Sequence, residues 1–242
     1  MPSVSSIGKT KTNHQCHLSN GMKQKISLGV LVSGSGSNLQ AIIDNIEKGL
    51  LDGEIKVIIS NNTDAYALVR AKKHNIPSVI IKHSDFENRE DFDRKMIDVL
   101  KSLSVDLVVM AGFMRLLTPL FLNAFPMKIM NIHPAILPAF PGIHAQKRAA
   151  DYGVRFSGCT VHFADEGVDS GPIIIQAIVP AYDDDTEDTL AARILKEEHR
   201  IYPQAIQFYA EGRIEVIGRK VRIRGSARIP ETPLHNPPVT AF

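Results

Sequence analysis

The chain lacks any apolar run near the roughly 18 residues that a membrane-spanning helix needs, so nothing in it reads as a span. It has two cysteines, Cys16 and Cys159, far apart and in no CxxC or Cys/His pattern. That argues against a disulfide framework or a structural zinc and fits a reducing compartment such as the cytoplasm. No sign of charge dominates: the formal net charge is +2 over 242 residues, so no global field draws the chain to nucleic acid or a membrane. Residues 1–25 contain no Asp, Glu or Arg and no apolar core of the kind a secretory signal carries. They read as a disordered leader, with Met22 as an alternative start. Two nucleotide signatures are missing as well. There is no Gly-Lys-Ser/Thr of a Walker loop. A dinucleotide fingerprint fails because Leu39 stands at its third glycine position and the second strand ends in Ser60-Asn61-Asn62 rather than an acid.

What is present is alternation. Ile26 to Val32 is a nearly continuous apolar run, as in a strand buried on both faces. A Gly/Ser loop, Ser33 to Asn38, follows, and then a helical pattern with Leu39, Ile42, Ile43 and Ile46. Glycines allow close backbone approach and a helix start offers free N–H groups, so Gly36, Ser37 and Asn38 outline a phosphate site, against the plainer reading of a βα turn. A monophosphate ester suits it better than ATP or NAD. Further strands are expected at Ile55–Ile59, Pro77–Ile81 and Val105–Met110, with helices at Ala65–His74 and Ser84–Leu103. The class is therefore α/β, with a doubly wound, mostly parallel sheet. Gly158–Phe163 and Ile173–Val179 read as a hairpin, so the C-terminal part becomes mixed. Asp183-Asp184-Asp185 reads as a solvated loop and helix N-cap region, against the alternative of a cation site, ahead of a long amphipathic helix, Thr189–Ala210, and 214–223 as a small hairpin. Residues 26–224 form one expected domain and 225–242 a loose tail. The basic cluster Arg219, Lys220, Arg222 and Arg224 has no interleaved aromatics and reads as a solvated edge, not a nucleic-acid site.

The chemistry concentrates at Met130-Asn131-Ile132-His133-Pro134. The apolar run Phe125–Ile132 reads as a buried strand stopped by Pro134. Asn131 and His133 are two apart, so they share one face of that strand near its carboxyl end, where open α/β sheets place ligands. An amide can donate to an oxygen gaining negative charge, and an imidazole can exchange a proton near neutral pH. That pairing suits acyl transfer; the alternative is a strand end capping a turn. Three prolines, Pro134, Pro138 and Pro141, make the next segment a stiff crossing able to hold the histidine. Met114 to Leu117 leave two readings open, core or an apolar ligand slot with Arg115 as its polar anchor. Taken alone, Arg89 and Glu198 read as surface helix charges, and the chain shows no His pair at metal-ligand spacing.

Together these segments resemble the folate-dependent glycinamide ribonucleotide formyltransferases. The resemblance rests on Gly34-Ser35-Gly36-Ser37-Asn38-Leu39-Gln40, Ala111-Gly112-Phe113-Met114-Arg115, Asn131-Ile132-His133-Pro134 with Leu137-Pro138, and Val161-His162-Phe163 through Asp169-Ser170-Gly171-Pro172, in that order over residues 26–215. It implies a Rossmann-like formyltransferase fold. The implied reaction moves the formyl group of 10-formyltetrahydrofolate, as co-substrate, to the amine of glycinamide ribonucleotide in purine synthesis, with no metal. Asn131 matches the oxyanion-binding position, His133 the proton donor, and Asp169 the carboxylate that keeps the histidine protonated. Gly36, Ser37, Asn38 and Glu198 match nucleotide positions. Arg89, Met114, Arg115, Leu116, Leu117, Asn131, Asp165, Glu166, Gly167, Val168 and Asp169 match the folate side. A cytoplasmic monomer or weak homodimer is implied, with no nucleic-acid or membrane partner. The alternative within the superfamily is 10-formyltetrahydrofolate deformylase, where water replaces the amine. Ser35 and Leu195 depart from the residues that family members often carry there, Asn or Arg and an amide-bearing side chain respectively.

Overall fold

Alternate residues of the central strands pack against opposite helical layers, which is why those strands are apolar almost throughout. The computed structural model describes residues 25–237; the expected leader, apart from Lys25, and the last tail residues, 238–242, lie outside the described residues. Strands β1 (Ile26–Val32), β2 (Gly53–Ser60), β3 (Ser78–Ile80), β4 (Leu107–Met110) and β5 (Ile129–His133) pair in parallel in the order β3-β2-β1-β4-β5. Strands β6 (Phe156–Phe163) and β7 (Ile173–Pro180) follow as antiparallel neighbours. The hairpin β8 (Ile214–Ile217) and β9 (Lys220–Ile223) completes one sheet, joined to β7 through the single pair Ile173 and Lys220. The class is thus α/β with a mostly parallel central sheet that turns mixed toward its C-terminal side, as expected.

Helices α1 (Ser37–Glu47), α2 (Tyr66–Lys73), α5 (Ala145–Tyr152) and α6 (Glu187–Ala210) cover one face. Their core partners include Leu28, Val30, Val32, Leu107 and Val109. Helices α3 (Arg89–Ser102) and α4 (Pro119–Ala124) cover the other, against Leu31, Val57, Ile59, Val108 and Met110. At Gly29 a Cβ would stand 2.2 Å from Leu100 Cδ2, so a larger residue there would push the Leu100 side chain on α3 aside.

Two boundaries near the site differ from expectation. The helix expected over Ser84–Leu103 is a 3-10 turn at His83–Asp85, an extended link, and then α3. Asn88 sets that start, because its side chain accepts from the Asp91 N–H at 2.9 Å and donates to the Asp91 carboxylate. The strand expected from Phe125 begins at Ile129. Phe125 ends α4 and Met127 takes a positive φ of 55°, while the Phe125 ring stacks on Phe121 at 5.4 Å. The acidic run leads into the N-cap of α6 at Thr186, and within it Asp183 and Asp184 are exposed while Asp185 is engaged. Arg193 holds its carboxylate with two hydrogen bonds of 2.7 and 2.9 Å. In the tail, Asn236 Nδ2 donates to the carbonyls of Arg155 and Ala181 at the far end of the β6–β7 pair.

Candidate active site

Strand β5 delivers Asn131 and His133 to the carboxyl end of the parallel sheet, with Met110 of β4 beside Asn131 on one side and His162 of β6 on the other. The loop after β6 brings Asp169 over them. His133 Nδ1 lies 3.2 Å from Asp169 Oδ2, and Asn131 Nδ2 donates to Asp169 Oδ1 at 3.3 Å. The three side chains named from the sequence therefore meet at one point. Asp169 adopts a left-handed backbone, φ 50°, and the Gly142 N–H donates to its Oδ2 at 2.7 Å. A non-glycine residue held in that conformation is a strained position typical of sites. The proline-rich crossing fastens the histidine from the other side, with His133 Nε2 2.9 Å from the Phe140 carbonyl.

Burial is the largest influence on the His133 ring and pushes its pKa below the ordinary imidazole value; Asp169 and the Phe140 carbonyl pull the other way without prevailing. Asp169 Oδ2 and the Phe140 carbonyl face the two ring nitrogens and favour the protonated ring, while burial opposes it. The attraction is present, but an imidazole only 4% exposed loses more hydration than one partly shared carboxylate returns. Burial also raises Asp169, yet its other surroundings, the Gly142 N–H and the charge available at His133 among them, hold its carboxyl below the usual range. The carboxylate is accordingly ionised at neutral pH.

The Gly/Ser loop sits between β1 and α1. Gly36 has φ 68°, and a Cβ there would stand 2.7 Å from Ala67 Cβ, so only glycine lets the loop lie against α2. Ser37 and Asn38 begin α1, whose first N–H groups have no acceptor within the helix. Asn38 Nδ2 donates to Glu198 Oε2 at 2.7 Å, while its buried Oδ1 has no partner. Glu198 is not the surface charge its sequence context suggested. It is 6% exposed, and burial raises its carboxyl pKa against the lowering effect of Asn38. At the departures, Ser35 is exposed with its carbonyl accepting from Arg70 Nε, and Leu195 is half-buried.

On the opposite side of Asn131 a cleft runs between the 115–119 segment and the 164–169 loop, and Arg89, Arg115, Leu117, Asp165, Glu166 and Gly167 line it. Met114, Leu116 and Val168 edge the adjoining hollow over His133, 73%, 60% and 47% exposed. Met114 and Leu116 are thus slot, not core, whereas Leu117 also packs against the α3–α4 core. Arg89 donates to the Leu116 carbonyl at 2.6 Å, so it reaches the slot wall across 27 residues.

Sequence reasoning assigned no role to four residues that hold this geometry. Ser33 Oγ donates to Asn61 Oδ1 and accepts from the Met114 N–H, linking the two loops. Asp93 accepts from both Thr118 N–H and Thr118 Oγ1 at 2.7 Å. The Tyr202 hydroxyl lies between the carbonyls of Met110 and Met130. His162 contacts Asn131 across the β5–β6 pair. Only the apolar spacing around Tyr202 could have marked one of them. Among the described residues, no three His, Cys, Asp or Glu side chains converge as a metal site.

The family model described as Formyl transferase matches residues 27–206. A phosphoribosylglycinamide formyltransferase of Haemophilus influenzae is 42% identical over 200 residues, covering 83% of this chain and 94% of that enzyme. The trifunctional purine biosynthetic protein adenosine-3 of Drosophila melanogaster is 46% identical over 187 residues, 76% of this chain but 14% of that much longer protein. Among solved structures, glycinamide ribonucleotide transformylase 1 of Symbiobacterium toebii superposes with a TM-score of 0.81 at 50% identity, covering 83% of this chain and 94% of that one. A formyltetrahydrofolate deformylase of Pseudomonas syringae, at 24% identity and TM-score 0.78, shares the fold.

Proposed function

The chain belongs to the formyl transferase family, and on that premise we propose that it transfers the formyl group of 10-formyltetrahydrofolate to the amine of glycinamide ribonucleotide in purine synthesis. The observation that carries the reading is the convergence of Asn131, His133 and Asp169 between a phosphate-type loop and an apolar slot. In this reading the nucleotide phosphate meets the N–H groups at Gly36, Ser37 and Asn38, and Glu198 holds the sugar or glycinamide end. The folate lies against Arg89, Met114 to Leu117 and the 165–169 loop.

The amine nitrogen attacks the formyl carbon and the carbonyl π pair moves to oxygen. Asn131 donates an N–H to that oxyanion. His133 takes up the proton that the new C–N bond makes acidic. It then gives that proton to N10 as the C–N10 bond breaks, releasing tetrahydrofolate. The ionised Asp169 stabilises the imidazolium between those two transfers. We further propose residues 26–224 as a single catalytic unit, working in the cytoplasm as a monomer or weak homodimer without nucleic acid or membrane. Among the described residues no helix is long and apolar enough to cross a membrane.

The test is cofactor turnover followed by absorbance, with and without glycinamide ribonucleotide. Turnover that requires the nucleotide is the expected result. Equal turnover without it would replace this reading by the deformylase, and folate binding with no turnover in either case would leave a binding protein.

A further inference from the structure

We propose that His162 is a positioning residue, whose ring holds the Asn131 carboxamide with one N–H free to meet the oxyanion. The inference rests on the proposed formyl transfer and adds a residue to it. His162 is 2% exposed on β6, directly opposite Asn131 in the antiparallel register. Its Nδ1 lies 2.9 Å from the Phe163 carbonyl. A carbonyl can only accept, so Nδ1 carries the ring proton. Its Nε2 lies 3.2 Å from Asn131 Nδ2, which can only donate, so Nε2 presents its lone pair. One tautomer satisfies both contacts. The same Nε2 stands 3.6 Å from Asp169 Oδ1, beyond a direct hydrogen bond.

The orientation of the amide follows. Were Asn131 turned over, its oxygen would face Asp169 Oδ1 at about the present 3.3 Å, acceptor against acceptor, and would abandon His162. Both neighbours therefore select the same orientation, with Nδ2 toward the cleft floor. Nδ2 has two N–H bonds and two acceptors, His162 Nε2 and Asp169 Oδ1. The formyl oxygen must displace one of them. The Asp169 contact is the longer, and that carboxylate is also engaged by Gly142 and His133. The His162 contact sits on a buried strand, pinned by its own bond to Phe163. The Asp169 contact yields and the His162 contact stays. His162 thus keeps the amide from rotating while its second N–H serves the transition state.

The experiment compares His162→Leu, which fills space without an acceptor, with His162→Gln, which returns a carbonyl acceptor. Wild-type protein is assayed in parallel, so failure of the formyl-transfer reading shows in the wild type alone. Expected is a fall in kcat of about tenfold or more for the Leu variant, with both KM values within about twofold, and recovery of most of it by Gln. A Leu variant within about twofold of wild-type kcat, or a Gln variant no better than Leu, would overturn the proposal. If the Leu variant does not fold, the wild-type ring decides. Long-range proton–nitrogen spectra of His162 should show the proton on Nδ1 and a bare Nε2 at neutral pH. A proton on Nε2 would sink the idea whatever the turnover.

Discussion

An imidazole buried beside a carboxylate is pulled two ways, and at His133 burial prevails. This has a consequence for stability with a definite sign. The folded value lies below 6.5, the value of the free side chain, so the unfolded chain binds the proton first as pH falls. Stability is therefore undiminished by this group above about pH 6.5 and declines below it. Asp169 adds a second loss at lower pH. Its folded value is depressed, so its contribution is present above the unfolded value of 3.8 and is lost as pH falls through the folded one. His133→Gln should flatten the first decline. Urea unfolding at about pH 7 and about pH 5 should show the variant losing less stability between them than the wild type. An equal loss in both would mean the ring is not held low. The sequence placed Asn131 and His133 on one strand face, but Asp169 reaches them only through loop geometry 38 residues on. No local pattern encodes that meeting; the resemblance alone suggested it. The burial of Glu198 was missed although the helix spacing carried a signal for it. Leu190, Ile194, Tyr202 and Ile206 recur every four residues along α6, and Glu198 completes the series, a carboxyl set in an apolar stripe.

Helix α3 works as a clamp on one wall of the cleft. Arg89 takes the Leu116 carbonyl, and one turn later Asp93 takes the Thr118 N–H and hydroxyl. Together they fix the segment that carries Leu116 and Leu117. Asp93 is 1% exposed, and burial raises its carboxyl despite the Thr118 bonds. Truncating it strands two buried donors. Asp93→Ala should cost about 2 kcal/mol of stability and raise the folate KM by about tenfold, with the nucleotide KM little changed. Asp93→Asn keeps an acceptor and should fall between the variant and wild type. Steady-state kinetics with each substrate varied will read this; equal rises in both KM values would point to general loosening, not a wall. The clamp was hidden because the helix start was misplaced. An uninterrupted helix from Ser84 runs the whole stretch together, whereas the Asn88-x-x-Asp91 cap begins the helix at Arg89, one turn before Asp93. The capping signal was in the sequence, but an unbroken apolar spacing through Phe92, Met96 and Ile97 masked it.

Across the whole molecule, the two layers and the parallel strand order followed from periodicity, since strands buried on both faces must alternate with covering helices. The ties between layers did not, because each is a single polar contact inside an apolar helix face. The Tyr202 hydroxyl is the central one. It lies 3.0 Å from the Met110 carbonyl on β4 and 2.9 Å from the Met130 carbonyl on β5, next to Asn131. One turn earlier on the same helix, Glu198 holds Asn38 at the end of the Gly/Ser loop. Helix α6 thus connects the loop that follows β1 to the ends of β4 and β5, where Asn131 sits. A hydroxyl has one proton, so the two carbonyls share a single donor. Tyr202→Phe removes that donor without opening a cavity and should cost about 1–2 kcal/mol. Because the loop is still held through Glu198, the nucleotide KM should stay within about twofold while kcat falls by a few-fold as the Asn131 strand end loosens. Urea unfolding together with kinetics separates the two effects. A stability loss with kcat unchanged would make Tyr202 a structural tie only, and a raised nucleotide KM would show that the helix moves as one body, carrying the loop with it.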